Sequence, residues 1–559
     1  MISKEFIEHI HNKFNGKIIK SEEPVKDQVH IWLDKKDIKE VCDYIFNGLK
    51  GRFVITSGTD YRKKSEGKFL VSHVFSLDND KIFIIVHVFV DEDNLEIDSI
   101  TPVIPAAGWA EREVQDLLGI KMINHTDPRR LVVADDWPEG IYPLRKDFPY
   151  DEFPDSMPQY RPKMTEHPEG ATIVPIGPFF PVLEEPAYFR LFVEGERIIG
   201  CDYRGFYNHK GIEKVGEGAL NYNQIIFLAE RICGICGTVH GTAYCQAIEN
   251  LAEIEVPPRA KFIRSIILEF ERIHSHLLWL GIAAHIVGFD TILMQAWRIR
   301  EPIMWLAEKV TGNRKTYGIN LIGGVRRDIP KEIHDEIIRI IEKIGKETRA
   351  ALDAIAGDTP LLMRLEGVGI LTNEDAIKYS VLGPTARGSG VAIDARVDHP
   401  YAAYEMIPVK KIVETGEDIL ARTLVRIKET LESVEIIKQC LKEMPKGPIM
   451  ANMDKPIPPG RIGVSSVEAQ RGECHHYVIS GEDNTPYRWK ARAPTFQNLQ
   501  AIPVTILDET IADVPISIGS FDPCFSCTER METVDVKTGE IKIYTKRELE
   551  EISRKKYKR

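Results

Sequence analysis

The stretch ERICGICGTVH, residues 230–240, sets Cys233 and Cys236 three apart, with Arg231 ahead of them and His240 behind. A Cys-x-x-Cys spacing brings two sulfurs within reach of one metal ion, or within range of a disulfide. Alone it fits a redox dithiol, half a zinc site or chance. The spacing returns near the far end in DPCFSCTER, residues 522–530, as Cys524 and Cys527 flanked by Asp522 and Arg530. Two pairs make a four-thiolate site, and a structural zinc is its plainest occupant. Zinc ribbons, however, join their pairs through about 15–20 residues, and here most of a helical domain intervenes. Soft thiolates suit nickel and iron as well, so ligand type leaves the metal open.

Composition narrows the setting. The 559 residues are 43% hydrophobic and 28% charged, which is room for more than one globular domain. A net charge of −11 speaks against nucleic acid as a partner, because phosphate binding needs a basic face. The opening MISKEFIEHIHNKF scatters charges among its apolar positions and does not read as a secretory leader. No run of about 20 apolar residues offers a bilayer span. Nine cysteines, an odd number without a leader, point to a reducing compartment and to free or metal-bound thiols.

Along the chain, KDIKEVCDYIFNGL has helical periodicity, whereas RFVITSGTDYR and KIFIIVHVFV are β-branched runs of strand length. Prolines recur from 149 to 186 with little periodicity, the texture of an extended connector. Beyond it comes PPRAKFIRSIILEFERIHSHLLWLGIAAHIVGF. It places Ile263, Ile266, Ile267, Phe270, Ile273, Leu277 and Leu278 on one face of a long helix that Pro257 and Pro258 can start. Two further long helical stretches, around 332–355 and 416–444, predict a bundle core. Near 455–520, YVIS and IPVTIL read as strand-like. The expectation is an α+β chain: a small N-terminal α/β domain over 1–150 and a proline-rich linker over 151–175. A large, mainly helical-bundle domain follows over 176–530, then a C-terminal tail over 531–559.

The flanked pairs RxCxxCxxxH and DPCxxCxxR resemble the signatures of nickel–iron hydrogenase large subunits. FRLFVEGERII, KGIEKV, RKTYGINLIGGVRRD and YRWKARAPTFQN are similar to the membrane-bound, energy-converting branch, of formate hydrogenlyase and hydrogenase-4 type. EREVQDLLGIKMINHTDPRRLVVADDWPEGIYPLRKDF (111–148) resembles the 30-kDa-type subunit of respiratory complex I, and the rest resembles its 49-kDa-type subunit. The alternative is a complex I-like NADH/quinone oxidoreductase fusion subunit, with NAD or quinone binding and no hydrogenase activity. Against it, the quinone loop of that subunit carries Gly-x-x-His-Pro, whereas GPFFP (177–181) has Phe180 at the histidine's place.

The resemblance implies that Cys233, Cys236, Cys524 and Cys527 bind nickel. It makes Cys236 and Cys527 the bridges to an iron carrying cyanide and carbon monoxide. Heterolysis of hydrogen needs a Lewis-acidic metal pair and a nearby base, and the terminal thiolate Cys524 is the base implied. His240 would donate to a bridging sulfur, Arg471 in VEAQRGE would overhang the open metal position, and Glu185 in LEEPAYFRLF, beside Glu184, would relay protons. Read without the resemblance, His240 is a packed histidine, and Arg471 and the glutamates are surface charges. Ser275 stands where soluble relatives carry an aspartate. Cys201, Cys245, Cys440 and Cys474 read as packed thiols.

With no further four-cysteine set, an iron–sulfur cluster is expected on a small partner subunit. Membrane-integral complex I-like subunits would hold the chain at the cytoplasmic face of the membrane. The last 29 residues after Arg530 resemble a maturation peptide, removed by an endopeptidase once nickel-insertion factors have acted.

Overall fold

The protein is described from a computed structural model, which covers residues 2–134, 137–149, 154, 165–177, 187–206, 209–218, 220–453, 456–525, 533–534, 541–542 and 554. The β-branched runs of the N-terminal part form a mixed sheet. Its strands are β1 (Ile18–Val25), β2 (Gln28–Leu33), β3 (Arg52–Asp60), β4 (Lys68–Leu77) and β5 (Ile82–Asp91), in the order β1-β2-β5-β4-β3. β2 and β5 run parallel, with Gln28 opposite Phe83, and the other neighbours are antiparallel. Helix α1 (Ser3–Lys13) opens this part, and α2 (Gly108–Leu118) packs on β3. A Cβ at Gly58 of β3 would stand 2.5 Å from Leu118, so the helix and strand meet too closely for any side chain there. KDIKEVCDYIFNGL gives a short helix, Ile38–Asp43, followed by one wider turn, Tyr44–Gly48.

β3 lies at the edge of its sheet, where outward carbonyls invite pairing with another chain. The segment YRWKAR from the far end of the sequence covers that edge. Arg492 Nε donates to Val54 O at 3.1 Å, Arg488 Nε to Gly58 O at 2.8 Å and the Tyr487 hydroxyl to Asp60 O at 2.8 Å. These residues belong to β11 of an antiparallel sheet made of β9 (Ile462–Ala469), β10 (Gly472–Ser480) and β11 (Pro486–Arg492). One buried cluster runs across the junction, joining Val71 and Val88 to Val464, Tyr477, Ile479 and Phe496. A further antiparallel sheet contains β6 (Thr172–Ile176), β7 (Tyr188–Glu194) and β8 (Arg197–Arg204), in the order β8-β7-β6.

The helical part contains α3 (Gly237–Ala252), α4 (Pro258–Ile286), α5 (Asp290–Thr311), α6 (His334–Ala356) and α7 (Ile419–Glu443). α4 is central and packs against α5 and α7, which both touch α6, while α3 lies on β9 and β10. The apolar stripe of α4 is buried from Ile263 to Leu277, as its periodicity predicts, and Leu278 is half-buried. Glu269, Glu271, Arg272, His274, Ser275 and His276 on its remaining surface are buried as well.

The strand-like reading of IPVTIL does not hold. Ile502–Thr505 is a short helix, because Pro503 sits in its first turn, where a missing N–H costs no helical bond. Most of the proline-rich connector and the C-terminal tail lie outside the described residues. Of the tail, Thr533–Val534 pairs antiparallel with Ile541–Lys542. Among the described residues, no helix is long and apolar enough to cross a membrane.

Candidate metal centre

The first cysteine loop joins the end of a helix, Tyr222–Glu230, to the start of α3, for which Cys236 is the N-cap residue. Helix starts leave N–H groups without backbone partners and carry a partial positive charge. Here those groups are shared between sulfur and carboxylate. Cys233 Sγ accepts from Ile235 N at 3.4 Å and Cys236 N at 3.2 Å. Glu271 of α4 accepts from Thr238 N at 3.0 Å and Val239 N at 3.1 Å. Burial pushes the Glu271 carboxyl up to about 8, against those two N–H groups and with the charge of Cys233 adding to the rise. Tyr317 OH donates to Cys233 O at 2.9 Å. A Cβ at Gly237 would stand 2.0 Å from the Tyr317 ring, so glycine is required for the loop to close under it. Glu230, pushed up to about 7 by burial, takes Gly318 N on both carboxylate oxygens at 2.9 and 3.0 Å.

The second loop follows a short helix, Val514–Gly519, and is fixed by buried donors. Trp279 Nε1 donates to Gly519 O at 2.8 Å and Arg426 Nη2 to Ser520 O at 2.8 Å. Cys524 N donates to Thr495 Oγ1 at 3.2 Å. The result is a Cys233 Sγ to Cys524 Sγ separation of 3.4 Å. Arg471 occupies the two-residue turn between β9 and β10, where Ala469 pairs with Gly472. Its Nε donates to Asp522 O at 2.6 Å and its Nη2 to Asp522 Oδ1 at 2.7 Å. Nη1 and Asp522 Oδ2 are buried and have no hydrogen-bond partner among the described residues. Burial opposes the guanidinium's charge, but Asp522 and the three nearby thiols Cys524, Cys233 and Cys236 hold it firmly protonated.

His240, on α3, is wholly buried, and burial pulls its imidazole down to about 4. His240, Cys474 and His476 form a buried group whose nitrogen and sulfur atoms all lie within 4.8 Å of one another. Behind the site, Arg387 is held by Glu429 at 2.7 Å and Glu468 at 2.8 Å, His276 by Glu429 at 3.0 Å, and Arg396 by Asp394 at 2.7 Å and Glu269 at 3.1 Å. Burial pushes Glu429 up, yet Arg387 and His276 hold it well below the usual carboxylate range. Such a paired lattice fixes helices and turns in position, because removing any member strands a buried charge.

The donor set fits a thiophilic metal. The sulfur separation exceeds a disulfide's roughly 2.05 Å, while two bonds of about 2.3 Å to one ion put sulfurs roughly 3.3–3.8 Å apart. Cys236 is pushed well above the ordinary thiol value by its hydrogen bond to Cys233, by burial and by the charges of Cys233 and Cys524, a crowding that a bound cation relieves. Arg471 Nη1 and His240 Nε2, without a hydrogen-bond partner among the described residues, are polar groups that a bound cofactor would satisfy.

Of the residues expected from sequence, Cys233, Cys236, Cys524, Arg471 and His240 are brought together. Cys527, Glu184, Glu185 and Phe180 lie outside the described residues. Glu271, Tyr317 and the pairing of Cys474 with His476 beside His240 gain their places only from the fold. Asp522 had a visible signal, since it is the acid of the DPC motif itself.

Comparison with known proteins gives this geometry a lineage. The family model of the respiratory-chain NADH dehydrogenase 49-kDa subunit matches residues 287–464 and 456–530. That of the 30-kDa subunit matches 31–154, and that of nickel-dependent hydrogenase matches 210–290. The chain is 39% identical to formate hydrogenlyase subunit 5 of Escherichia coli over 99% of this chain and 98% of that protein. It is 38% identical to hydrogenase-4 component G of the same organism, over 96% and 94%. Among solved structures, a chain of the archaeal membrane-bound sulfane sulfur reductase matches with a TM-score of 0.61 at 29% identity, covering 65% of this chain and all of that one. The chain therefore belongs to the hydrogenase large-subunit family related to the respiratory 49-kDa subunit, joined to a 30-kDa-type domain.

Proposed function

We propose that this chain is the catalytic large subunit of a membrane-associated, energy-converting nickel–iron hydrogenase of the formate hydrogenlyase type, interconverting H2 with protons and electrons. The observation that carries the reading is the meeting of Cys233 and Cys524 at 3.4 Å under Arg471. The complex I-like alternative gives that meeting no task.

In this reading Cys233, Cys236, Cys524 and Cys527 would hold a nickel–iron group bearing cyanide and carbon monoxide. That group supplies, when bound, the Lewis-acidic pair that polarises hydrogen. Cys524 accepts the proton as a terminal thiolate. Arg471 is tied to Asp522 through Nε and Nη2, and its Nη1, without a partner among the described residues, is placed to stabilise charge that develops beside the sulfur. His240 donates to a sulfur, and Glu185 carries the proton outward. A small partner subunit carrying an iron–sulfur cluster would accept the electrons. Membrane-integral complex I-like subunits hold the assembly at the cytoplasmic face. A maturation endopeptidase removes the tail after Arg530 once nickel-insertion factors have acted.

The test is elemental and infrared analysis of the processed chain within its complex. Nickel is expected, with iron in excess of it because the partner's iron–sulfur cluster adds to the count, together with bands from metal-bound cyanide and carbon monoxide. Zinc alone, or a processed chain without those bands, overturns the reading.

A further inference from the structure

His240, Cys474, His476 and Trp489 form a buried row from α3 through β10 to β11. Cys474 and His476 are two apart on one strand and so share a face. His476 Nε2 lies 3.1 Å from His240 Nδ1, Cys474 Sγ lies 3.3 Å from the same Nδ1, and Trp489 Nε1 lies 3.1 Å from His476 Nδ1. Two nitrogens and a sulfur so close could hold a metal ion, or they could be a hydrogen-bonded chain with a direction.

The indole decides between them. Its N–H only donates, so His476 Nδ1 must present a lone pair, and the ring's single proton sits on Nε2. A protonated Nε2 is no ligand. It donates instead to His240 Nδ1, which must in turn present a lone pair, so the proton of His240 also sits on Nε2. Neither ring fits the chain as imidazolium. A proton on His476 Nδ1 would face the indole N–H, and one on His240 Nδ1 would face the Nε2–H of His476. The Cys474 thiol joins as a second donor to the same Nδ1. The direction of the chain ends at His240 Nε2–H, which is buried and has no acceptor among the described residues. His240 stands one helical turn beyond Cys236 and feels the charge of Cys233.

We infer that Trp489 and His476 are positioning residues: the one-way chain from indole to His476 to His240 fixes His240 as the Nε2–H tautomer, so that it offers the thiolate cluster a hydrogen-bond donor and never a lone pair. The inference rests on the reading of that cluster as a metal centre. A donor withdraws electron density from a thiolate, whereas a lone pair at the same place would compete with sulfur for the metal.

The test has two arms. In the metal-free full-length chain labelled with ¹⁵N-histidine, nitrogen NMR is expected to show His240 and His476 neutral, each protonated at Nε2. A proton on Nδ1 of either ring overturns the proposal, as does added zinc that binds and removes both Nε2–H signals. In the processed, metal-loaded complex, W489F and H476F are expected to shift the infrared bands of the metal-bound diatomics. H476Q is expected to restore them, because its carboxamide oxygen accepts from Trp489 and its NH2 donates to His240. Unshifted bands in H476F, or an H476Q shift as large as that of H476F, overturn the proposal. A wild-type complex with no such bands sinks the hydrogenase reading instead, and the NMR arm still judges the tautomers.

Discussion

Cys233 and Cys524 stand 291 positions apart in the chain, yet their sulfurs lie 3.4 Å apart. Nothing local enforces this. One thiol hangs from the start of α3 and the other from a loop tied to Trp279, Arg426 and Thr495. Replacing either sulfur by oxygen keeps the shape and removes the soft donor. C233S and C524S are each expected to lower the nickel content of the purified chain at least about tenfold without altering its far-ultraviolet circular dichroism. Elemental analysis checks this, and full nickel occupancy in either variant contradicts it.

Arg471 is held at two nitrogens by Asp522, a fork that a lysine cannot reproduce. R471K is expected to reduce hydrogen-dependent dye reduction roughly 10²–10³-fold while nickel is retained. D522N keeps the backbone acceptor for Nε and loses the charged one, so a smaller loss is expected. Equal activity in R471K and wild type would remove Arg471 from the mechanism.

Glu473 binds the two parts of the chain together, pairing with Arg52 at 2.8 Å and with Arg492. Burial raises its carboxyl, but Arg52 and Arg492 hold it well below the usual range. Its stabilising contribution is therefore complete above the unfolded value of about 4.5 and fades as the pH falls. E473A leaves two buried guanidinium groups short of a partner, and a loss of about 3–5 kcal/mol is expected in urea unfolding of the metal-free chain near neutral pH. A loss under about 1 kcal/mol would show that the junction rests on packing alone.

Glu111 of α2 behaves oppositely. Burial pushes it up to about 7, although the Ser99 hydroxyl donates to it at 2.5 Å and Ile100 N at 3.0 Å. Between the unfolded value of about 4.5 and about 7 the native chain keeps a proton that the unfolded chain has released. Stability therefore falls as the pH rises through this window, by roughly 3 kcal/mol. E111Q cannot ionise. Its unfolding free energy is expected to change by about that much less than wild type between about pH 5 and about pH 8. Identical pH profiles would contradict the assignment.

Much of this arrangement can be read along the chain, and what cannot has a physical reason. The spacing of Ile263, Ile266, Ile267 and Phe270 announces α4, because an apolar stripe at helical period needs a core. The same helix carries Glu269, Arg272 and His276, whose surroundings its periodicity leaves open. Their partners Arg396, Tyr404, Ser433 and Glu429 come from sequence far away, and only the fold shows that the charges are paired and buried. The motif glycine Gly237 is visible in sequence, while the Tyr317 ring that requires it is not. Arg471 reads as a surface ion pair until the β9–β10 turn carries it inward to Asp522. Cys474 reads as a packed thiol, and its neighbours His240 and His476 appear only when β10 is laid on α3.

The central claim is that sulfurs from both ends of the large domain share one nickel ion. X-ray absorption at the nickel edge of the processed complex tests it most directly. The account predicts a first shell dominated by four sulfur scatterers, falling to three in any C524S complex that retains nickel. A shell of nitrogen and oxygen, or one unchanged in C524S, would contradict it.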